Sequence, residues 1–302
     1  MSVKLSLVVP CYNEEENVEN FFSHVSEGMK AYTDSYEIVF VNDGSRDKTG
    51  KKLKELLSEN RNAKITVVNF SRNFGKEAAM YAGLSNAEGE YIAIIDADLQ
   101  QDVRYVVEMC RILDNDEDTD MVAAYQEKRK EGRFITFCKE SFYKRINKYT
   151  EVPLVENASD FRTMRRCVAE TIISLPEYHR FSKGIFSWVG YNTVSIPYEV
   201  KERAAGETKW SFRKLLKYAL EGIIAYTDLP LKVPFYLAGF MLVISLVMLL
   251  MNIILPGVVF FVGSAILFSI GILGTYVSKI HTQVRNRPIY IAKEILSYDK
   301  ND

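Results

Sequence analysis

Hydrophobic and polar positions in the first half of the chain alternate between two kinds of segment. Short apolar or β-branched runs, typical of buried strands, are separated by longer stretches of helical length. The strand-like runs are 5–9, 38–41, 65–69, 91–95 and 121–125, and the helix-like stretches include 15–30, 47–60 and 75–87. This alternation predicts an α/β domain with a mostly parallel sheet and helices on both faces.

The pattern changes near the end of the chain, where residues 233–278 include no charged side chain. This stretch is roughly twice the ~20 residues that cross a bilayer. Because Pro256-Gly257 is its strongest turn signal, we expect two transmembrane helices, at about 234–255 and 258–277. The alternative is a buried hairpin of a soluble domain, but charge-free runs of this length are rare in such domains.

Basic residues lie on both sides of the predicted spans and are absent from the loop between them. Those before the spans are Lys209, Arg213, Lys214, Lys217 and Lys232, and those after them are Lys279, Arg285, Arg287 and Lys293. The positive-inside rule therefore predicts that both ends of the chain and its first 230 residues are cytoplasmic. The acidic, strand-like start of the chain does not resemble a signal peptide.

The segment before the spans, at about 209–226, is amphipathic with helical periodicity. Its apolar face is formed by Phe212, Leu215, Leu216, Ala219, Ile223 and Tyr226. Its position next to the spans favours a helix in the membrane interface over a surface helix packed on the domain. We therefore predict a cytoplasmic α/β domain at 1–207, an amphipathic helix at 208–230, a transmembrane hairpin at 231–279 and a cytoplasmic tail at 280–302.

Composition excludes two broad classes of protein. The 38 Lys and Arg residues balance 39 Asp and Glu residues, so the chain lacks the basic field of a nucleic-acid-binding protein. The four cysteines are far apart and form no C-x-x-C pair, which fits neither a zinc site nor a disulfide framework. They suit a reducing cytosol.

Polar residues follow three of the predicted strands, at 10–16, 42–45 and 96–100, and the rim of a parallel sheet brings such segments together. Asp96 ends a buried run, and a carboxylate there requires a cation or hydrogen-bond donors. Oxygen ligands such as Asp98 and Gln100 suit Mg²⁺ or Mn²⁺, whose shell is completed by water and substrate phosphates. This indicates a nucleoside diphosphate. The phosphate-loop pattern at 44–52 is imperfect, and no G-x-G-x-x-G follows a strand, so kinase and dinucleotide functions are disfavoured.

Seven motifs together resemble glycosyltransferase family 2. They are V-V-P-C-Y-N-E at 8–14, V-N-D-G-S at 41–45, S-R-N-F-G-K-E-A-A at 71–79, D-A-D-L-Q at 96–100, S-D-F-R at 159–162, R-F-S-K-G at 180–184 and R-x-x-G-x-T-K at 203–209. With the hairpin, they are most similar to polyisoprenyl-phosphate glycosyltransferases, which include dolichol-phosphate mannosyltransferases and bacterial bactoprenol glucosyltransferases. The Q-x-x-R-W signature of processive synthases is absent, which implies one sugar per lipid.

The resemblance implies a GT-A fold and a role for each matching residue. The nucleotide-sugar pocket would be formed by Pro10, Tyr12, Glu14, Asp43, Lys76 and Asp96, with Asp43 on the base. A metal would be held by Asp98 and Gln100, and phosphate charge would be neutralised by Arg203 and Lys209. The lipid phosphate would meet Arg129, Arg133 and Arg162, although the segment 129–133 departs from the family spacing and a solvated basic loop is the alternative.

The role of Asp160 in S-D-F-R stays open between a catalytic base and an orienting group. The second ionisation of a phosphate monoester has a pKa of about 6, so a polyprenyl phosphate is already a nucleophile at neutral pH. Base catalysis contributes most when the nucleophile starts protonated. We therefore favour the hypothesis that Asp160 orients Arg162 or the sugar, and direct attack would invert the anomeric centre.

The sequence thus predicts a metal-dependent hexosyltransferase of the bacterial inner membrane. It would transfer one hexose to polyprenyl phosphate. We expect the sugar to be glucose and the donor to be a UDP-sugar rather than a GDP-sugar. The alternatives are transfer to another lipid and a non-catalytic membrane scaffold. Glycines at 263, 271 and 274 lie on one side of the second span and would permit close helix contact, within the hairpin or between subunits of a homo-oligomer.

Overall fold

The computed structural model describes residues 3–59, 63–126, 158–199 and 256–298, with scattered helical positions between 234 and 244. Several predicted features lie outside the described residues. They are the amphipathic helix at 209–226, most of the first span, Arg129, Arg133, Arg203 and Lys209.

Strands and helices alternate through the first part of the chain, as the sequence predicts. The elements are β1 (Leu5–Cys11), α1 (Val18–Met29), β2 (Tyr36–Asn42), α2 (Thr49–Glu59), β3 (Lys64–Phe70), α3 (Lys76–Asn86) and β4 (Tyr91–Ile94). Each predicted strand or helix in this region lies within a few residues of its observed counterpart, because each apolar run fills one buried strand.

The second part of the chain completes the domain and adds one long helix. Its elements are α4 (Val103–Asn115), β5 (Met121–Gln126), β6 (Ala158–Arg165), α5 (Arg166–Ser174), α6 (Ser182–Trp188), β7 (Thr193–Tyr198), α7 (Pro256–Val284) and β8 (Ala292–Tyr298). Pro256, which the sequence marks as a turn, is thus the first residue of α7, in agreement with its predicted place at a helix boundary.

The described strands form one sheet in the order β7-β5-β6-β4-β1-β2-β3-β8. The central strands β1 to β4 pair in parallel, whereas β6 and β8 run in the opposite direction. Hydrophobic side chains pack on both faces: Phe21 and Phe40 belong to one cluster, and Val39 and Met80 belong to the other. The mostly parallel α/β sheet is therefore confirmed, and its two covered faces explain the continuous apolar runs.

Residues 292–298, which the sequence placed in a cytoplasmic tail, form an edge strand of the same sheet. β8 pairs antiparallel with β3 along its length. Leu296 packs against the core, and Ile295 on the opposite face is 51% exposed. Just before the strand, the Tyr290 ring stacks on Phe70 with centroids 4.8 Å apart. The end of α7 is therefore fixed to the domain that begins the chain.

Helix α7 presents apolar side chains outward over most of its length. The segment Ala265–Val284 is long and apolar enough to cross a membrane, and none of it is buried. It is the one candidate span within the described ranges, so the prediction of two spans is supported for the second helix alone. A Cβ added at Gly263, Gly271 or Gly274 would meet no atom within 4 Å.

Candidate functional site

The loops that follow β1 and β2 are tied together at the carboxyl rim of the sheet. The backbone N–H of Asn13 donates to Ser45 Oγ at 3.0 Å, and Arg46 N–H donates to Asn13 Oδ1 at 2.9 Å. Asn13 has φ 55°, a left-handed conformation that asparagine tolerates well. These contacts hold the half-buried Tyr12 and Glu14 at the rim, where the sequence predicts the nucleotide pocket.

Asp43 fixes the loop that leads into α3. Its Oδ1 accepts the backbone N–H of Phe74 at 2.6 Å, and its Oδ2 accepts Asn73 Nδ2 at 2.9 Å and Gly75 N–H at 3.0 Å. Burial raises the pKa of Asp43, and the hydrogen bonds from Phe74 and Gly75 oppose this rise. The observed role of Asp43 is to position this loop, and contact with a nucleotide base stays a prediction.

Lys76, at the start of α3, lies between two carboxylates, that of Asp96 just after β4 and that of Asp160 on β6. Its Nζ lies 2.8 Å from Asp96 Oδ1 and 3.2 Å from Asp160 Oδ2. Although burial acts to lower it, the pKa of Lys76 is raised by the charges of these two carboxylates. The Lys76 side chain is still 40% exposed, so the cluster opens to solvent. The structure thus brings together three residues that the sequence assigns to the site.

Asp96 has a further partner that the sequence analysis missed. Gln101 Oε1 accepts the backbone N–H of Asp96 at 2.9 Å, and Gln101 Nε2 donates to Asp96 Oδ2 at 3.2 Å. Gln101 is 6% exposed, so its amide is locked in place. The only signal for this residue was its position directly after D-A-D-L-Q.

The two predicted metal ligands lie on a tight turn next to this cluster. Leu99 between them has φ 61°, a left-handed conformation that is strained for leucine. Gln100 N–H donates to Asp98 Oδ1 at 3.2 Å, and both side chains are half-buried. No group of three or more His, Cys, Asp or Glu side chains gathers around a metal position in the described ranges. A carboxylate and an amide oxygen fit a hard divalent ion that takes its other ligands from substrate and water.

Asp160, near the start of β6, lies among cationic side chains. Burial acts to raise its pKa, but the charges of Lys76, Lys183 and Arg162 outweigh burial and hold the pKa of Asp160 below its usual range. Its Oδ1 is buried without a hydrogen-bond partner in the part of the chain that the structure describes. Asp160 is therefore an ionised carboxylate that its surroundings keep charged.

Arg162, two residues after Asp160 on β6, is 3% exposed. Its guanidinium donates to the carbonyl oxygen of Ser159 at 2.6 Å and lies 3.5 Å from the centroid of the Phe186 ring. Burial lowers the pKa of Arg162 to about 10, so it stays protonated at neutral pH. The charge of Arg162 helps keep Asp160 ionised, and contact of Arg162 with a lipid phosphate stays a prediction.

Glu77 connects α3 to the start of α6, a contact that the sequence analysis did not anticipate. Its carboxylate accepts hydrogen bonds from the backbone N–H of Ser182, at 3.0 Å, and from Ser182 Oγ. Burial, with the nearby charge of Asp160, raises the pKa of Glu77 to about 7. Lys76 and Glu77 thus point to different surroundings from adjacent positions of one helix.

Comparison with known proteins gives a consistent result. Residues 6–173 match the family model described as "Glycosyl transferase family 2". The chain is 38% identical to an uncharacterised glycosyltransferase of Synechocystis, with 98% of this chain and 96% of the relative covered. It is also 38% identical to a prophage-derived bactoprenol glucosyl transferase of Shigella flexneri, with 97% and 98% covered.

Solved structures share the fold at low sequence identity. A mannosyl-3-phosphoglycerate synthase from Rubrobacter xylanophilus has a TM-score of 0.54 and 16% identity, with 74% of this chain and 72% of that chain covered. A mannosyltransferase from Pyrobaculum calidifontis, in complex with GDP-Man and Mn²⁺, has a TM-score of 0.50 and 17% identity, with 96% and 85% covered. These similarities support the GT-A type of α/β fold.

Proposed function

Because the chain belongs to glycosyltransferase family 2 and is a glycosyltransferase, we propose that it transfers one glucose residue from a UDP-sugar to polyprenyl phosphate. The reaction takes place at the cytoplasmic face of the bacterial plasma membrane. Similarity over nearly the whole chain to a protein named bactoprenol glucosyl transferase supports the acceptor and the sugar.

The observation that carries this proposal is the Lys76–Asp96–Asp160 cluster at the carboxyl rim of the sheet. The rim of an open α/β sheet is where such folds bind nucleotides. When the acceptor oxygen bonds to the anomeric carbon, the bond from that carbon to the diphosphate breaks and the nucleoside diphosphate leaves as an anion. Lys76, beside Asp96, is a cation near enough to stabilise that charge. Asp96 is fixed by Gln101 and stays in place to orient the sugar nucleotide.

A divalent cation fits this chemistry through Asp98 and Gln100. When bound to the diphosphate, Mg²⁺ or Mn²⁺ stabilises the charge of the leaving group as a Lewis acid. The two side chains are half-buried on the turn that follows Asp96 in the chain. Arg203 and Lys209, from the motif R-x-x-G-x-T-K, are proposed to neutralise further phosphate charge.

The acceptor does not need a strong base. A phosphate monoester is ionised at neutral pH, and Asp160, with its lowered pKa, is a weak proton acceptor there. Asp160 therefore orients the substrate or Lys76. One direct displacement at the anomeric carbon, without a covalent enzyme intermediate, inverts its configuration.

The test is a transfer assay with the full-length protein in membranes. Radiolabelled UDP- and GDP-sugars are supplied with undecaprenyl phosphate or with diacylglycerol, and the product is extracted into organic solvent. We expect label in undecaprenyl phosphate from UDP-glucose. Label in diacylglycerol instead, or no lipid product from any donor, would contradict the proposal.

A substitution at the metal site provides the second part of the test. Asp98→Asn removes charge from the proposed ligand set, and we expect transfer to fall at least a hundredfold, about the loss of one strong electrostatic contact to the leaving group. Asp118→Asn, an exposed change before β5, is the matched control and should keep wild-type activity. Full activity of Asp98→Asn at a saturating divalent ion would overturn the metal assignment.

A further inference from the structure

A cavity of about 330 Å³ lies beside the catalytic cluster, where three parts of the chain meet. One wall is the 72–75 loop with the first turn of α3, and another is the 178–181 segment before α6. The third wall comes from the end of α7 and the residues after it, through Lys279 and Ile289. None of the proposed donor-binding residues lines this cavity.

The walls of the cavity carry an excess of positive charge. Arg72, Arg180 and Lys279 line it, and among the residues that the structure describes Glu77 is its one acidic lining residue. A cavity with three cations, enclosed by low-dielectric walls, concentrates positive potential and attracts an anion. Arginine side chains with lysine are the usual partners of phosphate oxygens.

Both arginines are oriented by contacts with their surroundings. The Arg180 guanidinium donates to the carbonyl oxygens of Leu175 and Ile172, at 3.0 and 2.9 Å, which are the last carbonyls near the end of α5. The Arg72 guanidinium lies 3.9 Å from the centroid of the Phe74 ring. Pre-oriented cations lose less conformational freedom when an anion binds.

The cavity adjoins the reaction centre through the start of α3. Glu77 faces the cavity, while its neighbour Lys76 contacts Asp96 and Asp160. Asp43 holds the backbone of Phe74 and Gly75, which form part of the same wall. The first turn of α3 therefore contributes both to the wall of the cavity and to the catalytic cluster.

The cavity also lies beside the point where the uncharged stretch of the chain ends. Lys279 is the first charged residue after the uncharged stretch 233–278. On the preceding turns of α7, Leu273 and Val277 are more than half exposed. Gln283 accepts the backbone N–H of Tyr178 at 2.9 Å and donates to the Pro176 carbonyl at 2.7 Å, which fixes α7 against the cavity wall.

We propose that this cavity receives the phosphate of the lipid acceptor, with the apolar chain of the lipid lying along the exposed face of α7. The inference rests on the proposed function and deepens it, because it assigns the acceptor phosphate to Arg72, Arg180 and Lys279 in the described structure. A phosphate monoester brings up to two negative charges, which the excess of cations accommodates. The apolar tail stays in the bilayer while the phosphate lies next to the sugar donor.

The test measures the KM for undecaprenyl phosphate in nanodiscs and the KM for the sugar nucleotide separately. Arg72→Gln and Lys279→Gln each remove one cation, and we expect the acceptor KM to rise roughly tenfold or more, the loss of one charge-assisted hydrogen bond. The KM for the donor should stay within about twofold of the wild-type value, because a weaker contact with the acceptor leaves the contacts with the donor unchanged. Arg72→Lys keeps the charge and should recover most of the acceptor affinity.

Arg287→Gln is the matched control, since Arg287 is an exposed cation after α7 that does not line the cavity. It should leave both KM values unchanged. The unfolding temperature of each variant is measured as well. We expect it to match that of the wild type, which shows that a change in KM does not come from loss of folded protein.

Two phosphate sources are distinguished by competition with a short-chain prenyl phosphate and with inorganic phosphate. We expect the prenyl phosphate to compete with undecaprenyl phosphate more strongly than inorganic phosphate does, and equal inhibition would overturn the lipid assignment. Wild-type transfer with unchanged acceptor KM in Arg72→Gln and Lys279→Gln would overturn the cavity inference alone. Absence of transfer by the wild type would overturn the proposed function and this inference with it.

Discussion

Asp160 is surrounded by positive charge, and this decides which chemistry it supports. Lys76, Lys183 and Arg162 together hold its pKa below the usual range despite burial. A carboxylate with a lowered pKa is a weak base, so it provides little driving force for removing a proton near neutral pH. The residue is better suited to hold a cation or a sugar hydroxyl in place than to accept a proton.

We predict that Asp160→Asn lowers kcat/KM for the acceptor by a factor that does not change between about pH 6 and 9, a window that begins at the ~6 ionisation of a phosphate monoester. The measurement is the pH profile of kcat/KM for both proteins, with Asp118→Asn as a control for the substitution itself. Steep recovery of the variant at high pH would identify Asp160 as the base.

Glu77 gives a second prediction, about stability and pH. Its usual pKa of 4.5 is raised to about 7 in the folded chain by burial and by the charge of Asp160. Between these values the folded state keeps a proton that the unfolded state has lost, so stability falls as pH rises through this window. Glu77→Gln removes this titration and keeps an oxygen that accepts from Ser182.

We therefore expect the unfolding temperature of Glu77→Gln to exceed that of the wild type by a margin that grows from about pH 5 to 8, across the interval set by the two pKa values. Thermal unfolding in detergent at several pH values checks this. A margin that stays constant with pH would show that Glu77 does not titrate in this range.

At the scale of residues, the motifs identified the three side chains that the structure brings together at the rim, and they missed the residues that support them. Lys76, Asp96 and Asp160 each stood in a motif. Glu77 and Ser182 are 105 positions apart, and their contact depends on the three-dimensional path of the chain. Pairwise contacts of this kind have no local sequence signal.

Among the elements, β8 is the one whose role differs most from expectation. Its residues alternate between half-buried and exposed positions, the pattern of an edge strand with one covered face. Glu294 adds two polar contacts, an ion pair with Lys54 at 2.6 Å and a hydrogen bond from Asn69 Nδ2 at 3.1 Å.

We predict that Leu296→Ala destabilises the protein by about 1–2 kcal/mol, below the 2–5 kcal/mol of a fully buried leucine because Leu296 is half-buried. Ile295→Ala, one position earlier on the exposed face, should cost about 0.5 kcal/mol or less. Chemical unfolding of both variants in detergent provides the comparison. Equal effects of the two substitutions would mean that β8 does not pack as an edge strand.

The sequence predicted the strands that consist of continuous apolar residues and missed those that do not. β1 to β5 have this character because helices cover both sides of the sheet. β6 contains Asp160 and Arg162, so its charges conceal a buried strand. β8 is too polar on one face to be separated from a tail by pattern alone.

For the whole molecule, the arrangement of charges predicts orientation in the membrane. Cys167 is an exposed free thiol of the catalytic domain, so it reports which side this domain occupies. We expect a membrane-impermeant maleimide to leave Cys167 unlabelled in intact spheroplasts and to label it after lysis.

Pro256→Cys places a thiol at the start of α7, in the predicted loop between the spans. We expect this cysteine to be labelled in intact spheroplasts, in contrast to Cys167, which should be labelled only after lysis. Labelling of Cys167 in intact spheroplasts would contradict the cytoplasmic assignment of the domain.

The connection between β3 and β8 also affects how the protein is made. The outer edge of β3 has its backbone groups paired only when β8 arrives, and an unpaired edge attracts other strands. At about 5–20 residues per second, the roughly 220 residues between the two strands take on the order of 10–45 s to synthesise. The candidate membrane span of α7 is synthesised within the same interval. The sheet is therefore completed only after that candidate span has been made, so the order of synthesis links a finished catalytic domain to the segment proposed to hold it at the membrane.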